Sequence, residues 1–223
     1  MPFPPPLPFD NRRAAGVVLG HALARYRHAA PLVVGLPRGG VPVAYEVACA
    51  LGGTLDVLLV RKLGAPQQPE LALGSIIDGK PPQVVWNDDI ISVLRPSDDY
   101  LRGEQRRQWQ ELERRRALYR GGMGPVTAPH RTVIVVDDGV ATGSTMKAAL
   151  LALRKLGAAR LVAAAPVAPR DVWNSIATLT DDAVCIAPLD SFGAVSLYYV
   201  DFTQTTDDEV IELMTQARGW QRR

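Results

Sequence analysis

Cysteine and histidine are scarce in this chain, and their scarcity excludes several kinds of site. Only two cysteines, Cys49 and Cys185, and three histidines, at positions 21, 28 and 130, occur among 223 residues. Two cysteines do not suggest the disulfide framework of a small secreted domain, and the histidines lack the spacing of zinc ligands. We expect both cysteines to be buried small hydrophobic residues of a reducing, cytoplasmic protein.

Long hydrophobic runs and a strong net charge are also absent. No run approaches the roughly 18 apolar residues of a membrane span, so we expect no membrane partner. The formal net charge of +2 is too small to indicate a polyanionic partner by itself. Residues 1–9 are rich in proline and carry no basic segment, so we interpret them as an extended arm and not as a signal peptide. The arm would pack on its own domain or on a partner subunit; the alternative is a docking ligand for a proline-binding protein.

Two common nucleotide-binding patterns are missing. The spacing G-x-x-x-x-G-K-[ST] of a P-loop occurs nowhere, and no G-x-G-x-x-G fingerprint follows a predicted strand. The sequence therefore supports neither a P-loop nucleotide site nor a dinucleotide site.

The order of predicted elements is typical of an α/β protein. Strands are predicted at 31–36, 55–60, 132–136, 160–167 and 183–188, and helices at 10–28, 41–51, 146–156, 170–178 and 206–218. This alternation predicts one domain over residues 1–223 with a doubly wound, mainly parallel five-stranded core sheet. Residues 65–130 are predicted as an insertion that contains a flexible loop, a hairpin at 71–86 and a long charged helix at 97–120.

The most informative segment is residues 133–145, Val-Ile-Val-Val-Asp-Asp-Gly-Val-Ala-Thr-Gly-Ser-Thr. Four apolar residues predict a buried strand, Asp137 and Asp138 follow it, and a small-residue loop then opens into a helix. The loop N–H groups and the positive end of the helix dipole favour an anion. The two carboxylates would repel a phosphate, but they can accept hydrogen bonds from sugar hydroxyls. Together these groups indicate a ribose 5-phosphate site; the alternative is an ordinary strand-to-helix turn.

This segment resembles the phosphoribosyl-pyrophosphate (PRPP) signature of type I phosphoribosyltransferases, in which two acids follow a hydrophobic strand and precede a Thr-Gly loop. The whole layout, with Leu-Pro-Arg-Gly-Gly and Tyr-Tyr-x-Asp-Phe, is most similar to a poorly characterised bacterial group of that family. The resemblance implies that Asp137 and Asp138 hold the ribose hydroxyls, directly or through water bound to Mg²⁺. It also implies Mg²⁺ as cofactor and a homodimer. The 5′-phosphate would lie in the loop formed by Gly139, Val140, Ala141, Thr142, Gly143, Ser144 and Thr145.

Two further strand ends supply candidate pyrophosphate ligands. Arg38, Gly39 and Gly40 form a turn in which glycine lets N–H groups approach a phosphate and arginine adds charge. This turn resembles the family's pyrophosphate loop. Arg61 and Lys62 follow the predicted strand 55–60 directly, where burying them unpaired would be costly, and relatives place basic residues here on the pyrophosphate. We assign that role to Lys62 first and then to Arg61; the alternatives are a simple glycine turn and a solvated strand exit.

The acceptor side of the site is less defined. Residues 65–74 correspond to the flexible loop that closes over the substrates in relatives, and Glu70 is its only acid. Glu70 is therefore a candidate general base or acceptor contact, the alternative being an ordinary loop carboxylate. Ala141 stands where hypoxanthine–guanine-type relatives carry an aspartate, which argues against a 6-oxopurine acceptor bound in that way.

An aromatic cluster follows the last predicted strand. Its members could stack on a planar base as part of a small hood over the site, and core packing is the alternative. They are Phe192, Tyr198, Tyr199 and Phe202.

We predict an enzyme that transfers 5-phosphoribose from PRPP to a nitrogenous, base-like acceptor and releases pyrophosphate. The rival functions are a PRPP-binding regulator that binds nucleic acid through the arginine-rich helix 101–120, and a phosphohydrolase that uses the same pocket. Possible ion pairs within that helix support an ordinary solvated helix, so we do not expect a nucleic-acid partner. The residues expected to act in the reaction are Asp137, Asp138, Arg38, Lys62 and Glu70.

Overall fold

A computed structural model describes residues 7–79, 82–121, 124 and 126–221, with the backbone alone for Glu70 and Gln221. Residues 1–6 of the predicted arm lie outside the described residues. The strands are β1 Leu32–Gly35, β2 Thr54–Val57, β3 Val60–Ala65, β4 Gln68–Ile77, β5 Gln83–Trp86, β6 Thr132–Val136, β7 Arg160–Pro169 and β8 Asp182–Leu189. The α-helices are α1 Arg12–Ala22, α2 Gly40–Leu51, α3 Asp88–Leu94, α4 Asp98–Arg120, α5 Ser144–Lys155, α6 Arg170–Ala177 and α7 Asp207–Gln221.

The core is a five-stranded sheet in the order β2-β1-β6-β7-β8, with every neighbouring pair parallel. Side chains alternate between its two faces because a strand has a period of two residues. Ile134 and Val136 pack on the face covered by α1, α2 and α7, whereas Val133 and Val135 pack on the face covered by α5 and α6. The predicted doubly wound, five-stranded α/β fold is therefore confirmed.

The position of the switch in strand order explains where the site lies. The chain leaves β1 toward β2 on one side, and β6 later pairs with β1 on the other side. Gly35 at the end of β1 pairs in register with Val136 at the end of β6. Open α/β sheets place ligands at the carboxyl ends of strands beside such a switch point. Residues 36–40 and 137–143 consequently leave the sheet side by side.

The predicted strand 55–60 is wrong at its end. β2 stops at Val57, and β3 begins at Val60 in a second, antiparallel sheet with the order β3-β4-β5. Leu58 and Leu59, which join the two sheets, are buried in different clusters, so one apolar run crosses two sheets. The correction concerns Arg61 and Lys62 most, because they lie inside a strand and point to opposite faces.

The predicted flexible loop at 65–74 also has regular structure. It forms the last residue of β3, the turn at residues 66–67 and the first seven residues of β4, with Gln67 at a φ of 61°. The hairpin predicted at 71–86 is confirmed by the antiparallel pairing of β4 with β5. The helix α3, which follows β5 and is capped by the Asn87 side chain, was not predicted.

Smaller corrections concern the first helix and the cysteines. The helix predicted at 10–28 is divided into α1 and a 3₁₀ helix, Ala24–Ala29, and its capping side chain is Asn11 and not Asp10. Cys49 is exposed on α2, because it lies on the face opposite the apolar stripe, and Cys185 is partly buried. No helix in the described part of the chain is long and apolar enough to cross a membrane.

The long helix α4 joins the second sheet to the core through buried ion pairs. Ser97 caps its start, as the predicted bounds imply. Arg116 donates from Nε to Asp78 at 2.7 Å, and Asp78, at the end of β4, is fully buried. Arg120 donates to Asp56 of β2 and lies 3.9 Å from Asp78. Burial raises the pKa of Asp56, and Arg120 opposes that rise. Two strands of different sheets are thus connected to one helix.

Replacing Arg120 by Met tests the strength of this connection. The variant leaves Asp56 and Asp78 buried with fewer partners, so we expect a loss of about 3–5 kcal/mol in the free energy of unfolding. Arg102→Met on the same helix is the control, because its side chain is 63% exposed beside Asp99; its change should stay within about 0.5 kcal/mol. Urea denaturation measures both, and equal losses would contradict the assignment.

Candidate active site

The acid pair follows β6 directly and is held from several sides. The Asp138 backbone N–H donates to Asp137 Oδ1 at 2.9 Å, and Arg12 Nε donates to Asp138 Oδ2 at 2.7 Å. The Tyr199 hydroxyl donates to the carbonyl oxygen of Asp138. Burial, and then the neighbouring Asp138 carboxylate, raise the pKa of Asp137. The carboxylates are therefore fixed in place before any ligand binds.

Residues 139–145 form a cup at the start of α5. The cup encloses a cavity of ≈ 210 Å³, lined by every residue from Gly139 to Met146 and by Asp137. The N–H group of Val140 donates to Val167 O at 2.9 Å, and Gly143 has a φ of 77°, which only glycine adopts easily. The hydroxyl oxygens of Thr142 and Ser144 lie 3.2 Å apart. Hydroxyls and the first N–H groups of a helix suit a phosphate group.

The turn at residues 37–40 touches the acid pair. The peptide bond between Pro37 and Arg38 is cis. A Cβ atom placed on Gly39 would lie 2.0 Å from Asp138 Oδ2, and one on Gly40 would lie 2.7 Å from the carbonyl oxygen of Val136. Glycine at both positions therefore permits the two loops to meet.

Arg38 is directed toward the start of α7. Its Nη1 atom lies 3.5 Å from Asp207 Oδ1, and the Tyr119 hydroxyl donates to the same carboxylate oxygen at 2.5 Å. The Arg38 side chain is about one-third exposed. Burial, and then Asp207, raise the pKa of Tyr119 to about 12, so its hydroxyl stays a donor at neutral pH.

The two basic residues of β3 go to different places. Lys62 is exposed and lines a cavity of ≈ 510 Å³ that it shares with Thr142, Ser144 and Thr145. Arg61 points to α4, where its Nε donates to Gln108 Oε1 at 3.0 Å. Burial, and then Arg115, lower the pKa of Arg61. The structure thus brings Lys62, and not Arg61, to the small-residue loop.

The other walls of that cavity were missed by sequence reasoning. They include Ser75 of β4, Asn87 before α3 and Ile90 within it. The alternation of β4 could have indicated Ser75, whereas α3 was not predicted at all. Glu70 lies in β4, but its side chain is outside the part that the structure describes, so its role stays a prediction.

The aromatic cluster of the C-terminal stretch is largely packed on itself. The rings of Phe192 and Tyr198 have centroids 5.2 Å apart, and those of Tyr199 and Phe202 lie 5.0 Å apart. Tyr199 is only 6% exposed and also contacts Phe9, whose backbone bridges to it. Tyr199 therefore supports the acid pair from behind and offers no open face to a planar base.

Arg12 is the most important contact that the sequence did not indicate. It begins α1, directly after its capping residue, and forms its ion pair with an acid 126 positions away. Local sequence patterns do not indicate an ion pair between residues so far apart in sequence.

The acid pair fits the way in which Mg²⁺ binds to proteins. The described residues contain no group of three or more His, Cys, Asp and Glu side chains that could form a protein cage for a metal. Mg²⁺ commonly binds through one or two carboxylates and completes its shell with water and substrate oxygens. Asp137 and Asp138 could hold the ion in that way, with Arg12 already on one oxygen of Asp138.

Comparison with known proteins gives consistent results. Residues 10–203 match the family described as Phosphoribosyl transferase domain. Two proteins of Mycobacterium tuberculosis, from strains CDC 1551 / Oshkosh and ATCC 25618 / H37Rv, are provisionally named phosphoribosyl transferase, and each is 44% identical to the chain over 209 residues. The match covers 94% of the chain and 47% of each relative, so the chain spans about half of their length. The crystal structure of TT1426 from Thermus thermophilus is 42% identical, with a TM-score of 0.80 over 93% of this chain and 98% of that one.

Adding a methyl group at Gly40 tests the contact between the two loops. In Gly40→Ala the new Cβ would meet backbone atoms that cannot move independently, so we expect a loss of about 1–3 kcal/mol in the free energy of unfolding. Gly103→Ala in α4 is the matched control, since nothing lies within 4 Å of its Cβ position; it should gain about 0.5–1 kcal/mol. Chemical denaturation compares them, and an unchanged Gly40→Ala variant would refute the close contact.

Proposed function

We propose, since the chain belongs to the phosphoribosyl transferase domain family, that it transfers 5-phosphoribose from PRPP to a nitrogenous, base-like acceptor and releases pyrophosphate. The observation that carries this proposal is the contact between the acid pair and the glycine turn at the ends of β6 and β1. The candidate sugar-binding carboxylates and phosphate cup follow β6, and the glycine turn with Arg38 follows the neighbouring strand β1. These are the groups that a ribose with phosphates at both ends requires.

Each group has a distinct proposed task. Asp137 and Asp138 accept hydrogen bonds from the 2′- and 3′-hydroxyls of the ribose. The cup at residues 139–145 holds the 5′-phosphate through N–H groups and hydroxyls. Arg38, Gly39 and Gly40 hold the pyrophosphate, and Lys62 approaches it from the second sheet. Glu70 is kept as a candidate base for the acceptor proton.

The reaction would be a displacement at the anomeric carbon. The bond to pyrophosphate breaks as the acceptor nitrogen bonds to the same carbon, so positive charge develops on the sugar and negative charge on the leaving group. Arg38 and Lys62 stabilise the negative charge as it forms. Mg²⁺, when bound, would neutralise part of the charge of the pyrophosphate. The second sheet supplies part of the wall of the cavity beside the cup and would limit access of water, which would otherwise compete with the acceptor.

The contacts of α4 argue against a nucleic-acid face. Glu111 accepts hydrogen bonds from both Arg114 and Arg115, which lowers its pKa to about 2. Arg116 and Arg120 are turned inward to Asp78 and Asp56. Because the side chains of Arg116 and Arg120 are 15% and 5% exposed, they are not available to a polyanion. The regulator is therefore the weaker candidate, and the homodimer and cytoplasmic location remain predictions.

Pyrophosphate release tests the proposed function. Wild-type protein with PRPP, Mg²⁺ and a panel of purine and pyrimidine bases should release pyrophosphate only with a suitable base. Asp137→Asn/Asp138→Asn should lower this rate by a factor of about 10² to 10³ or more. Asp98→Asn is the control, because that carboxylate is 84% exposed on α4. Wild-type activity in the double variant would refute the proposal.

The assay also separates the rival functions. Release without any base would indicate a phosphohydrolase, since water would then be the acceptor. Tight PRPP binding without release for any base would favour a regulator, and salt-dependent binding to RNA or DNA would then be measured.

Lys62→Met and Arg61→Met separate the two basic residues of β3. Lys62 lines the cavity beside the phosphate cup, so its loss should raise the KM for PRPP by about tenfold or more, as the loss of a charged contact costs about 1.5–3 kcal/mol. Arg61→Met should have a clearly smaller effect, because that side chain contacts Gln108. A larger effect of Arg61→Met than of Lys62→Met would indicate that Arg61 contributes more than Lys62 to pyrophosphate binding.

A further inference from the structure

Arg12 connects three elements that are far apart in sequence. Its Nε donates to Asp138 Oδ2 at 2.7 Å, and its Nη1 donates to the carbonyl oxygen of Thr203 at 2.7 Å. The Cζ atom of its guanidinium lies over the Phe202 ring, 3.9 Å from the ring centroid. One side chain of α1 thus contacts the acid pair and the C-terminal stretch at the same time.

The ion pair is well shielded from solvent. The side chains of Arg12 and Asp138 are 11% and 14% exposed. Gly39 lies against the same carboxylate oxygen, so Asp138 Oδ2 is enclosed between the arginine and the glycine turn. A ribose hydroxyl would therefore bind to the other oxygen, Oδ1. The orientation of Oδ1 depends on the contact that Arg12 makes with Oδ2.

We propose that Arg12 is a positioning residue for the transfer reaction: it orients the Asp138 carboxylate toward the ribose hydroxyls and fixes it to the 202–203 segment. This inference rests on the proposed function. Arg12 touches neither substrate nor leaving group, and it acts through Asp138. Its effect should therefore appear in the binding of ligands that contain ribose and not in the binding of pyrophosphate.

The contact requires arginine and not merely a positive charge. A guanidinium donates from separate nitrogens in fixed directions and can stack on a ring at the same time. A lysine ammonium could pair with Asp138, but it could not reproduce the donation to Thr203 and the stacking on Phe202 together. Arg12→Lys should consequently be intermediate between wild type and Arg12→Gln.

The neighbouring Arg13 provides a matched control. It also pairs with an acid, since its Nε donates to Glu46 at 2.6 Å, and its guanidinium lies 5.3 Å from the Tyr45 ring centroid. Its side chain is 56% exposed, and these contacts are with α2. Arg13→Gln removes the same kind of ion pair from the same helix without touching Asp138.

Calorimetric titration of the full chain with Mg²⁺ present tests the proposal. Ribose 5-phosphate and pyrophosphate are the two probes, and pyrophosphate release gives KM for PRPP and kcat. We expect Arg12→Gln to weaken ribose 5-phosphate binding and to raise the KM for PRPP by about 10- to 100-fold, because a misplaced binding group can cost about that much. Pyrophosphate affinity should change less than threefold, which is about 0.6 kcal/mol. Arg13→Gln should match wild type in both titrations.

Three outcomes overturn the proposal. Wild-type affinity for ribose 5-phosphate in Arg12→Gln would show that Asp138 is oriented without Arg12. Equal loss of affinity for both probes would indicate a general structural role. If Arg12→Gln does not fold, Arg12→Lys decides by the same comparison of probes. A wild-type protein that binds neither PRPP nor ribose 5-phosphate overturns the proposed function as well, and this result is distinct from an active wild type with a neutral Arg12→Gln.

Discussion

The arrangement of the cleft depends on one packing constraint, the direct contact between the loops that follow β1 and β6. The strands pair in register up to Gly35 and Val136, so their loops start at the same level of the sheet. Two glycines then allow the loops to touch, because any larger side chain would collide with Asp138 or with the backbone of β6. Neighbouring parallel strands have their carboxyl ends at the same edge of the sheet, so the loops that follow them are adjacent. Cationic and anionic groups consequently meet without a long loop to carry them.

The second sheet and α4 are attached to the core by buried ion pairs and by apolar packing. α4 contacts β3 by Glu104, which accepts from the Gly64 N–H at 3.2 Å, and contacts β2 and β4 through its last arginines. Buried ion pairs contribute less to stability than an apolar contact of equal size, but they are costly to break and demand one geometry. These ion pairs thus favour one position of the second sheet, whose strand β3 carries Lys62.

Sequence patterns predicted the parts of this structure that depend on local order. The apolar strand, the acid pair and the small-residue loop are continuous in sequence, so their positions in the fold followed from the period of the side chains. The end of β2 was not predictable in the same way, because Leu58 and Leu59 continue the apolar run while the chain passes between sheets. Aspartate and asparagine accept the same capping hydrogen bond, so the sequence could not distinguish Asp10 from Asn11 as the cap of α1. The contacts of Arg12 and Tyr199 with Asp138 could not be predicted, since these residues lie 126 and 61 positions from it.

The contacts between residues 9–12 and residues 199–203 affect the order in which the parts of the site can form during synthesis. Phe9 hydrogen-bonds to residues 198 and 200, and Arg12 reaches Thr203, so the back of the acid pair is built from two segments almost two hundred positions apart. A ribosome delivers the first segment long before the second. The core sheet through β7 can form while Arg12 still lacks its carbonyl acceptor and its aromatic neighbour. A nascent chain that ends before residue 199 would therefore contain the acid pair and Arg12, but not their contacts with Tyr199, Phe202 and Thr203.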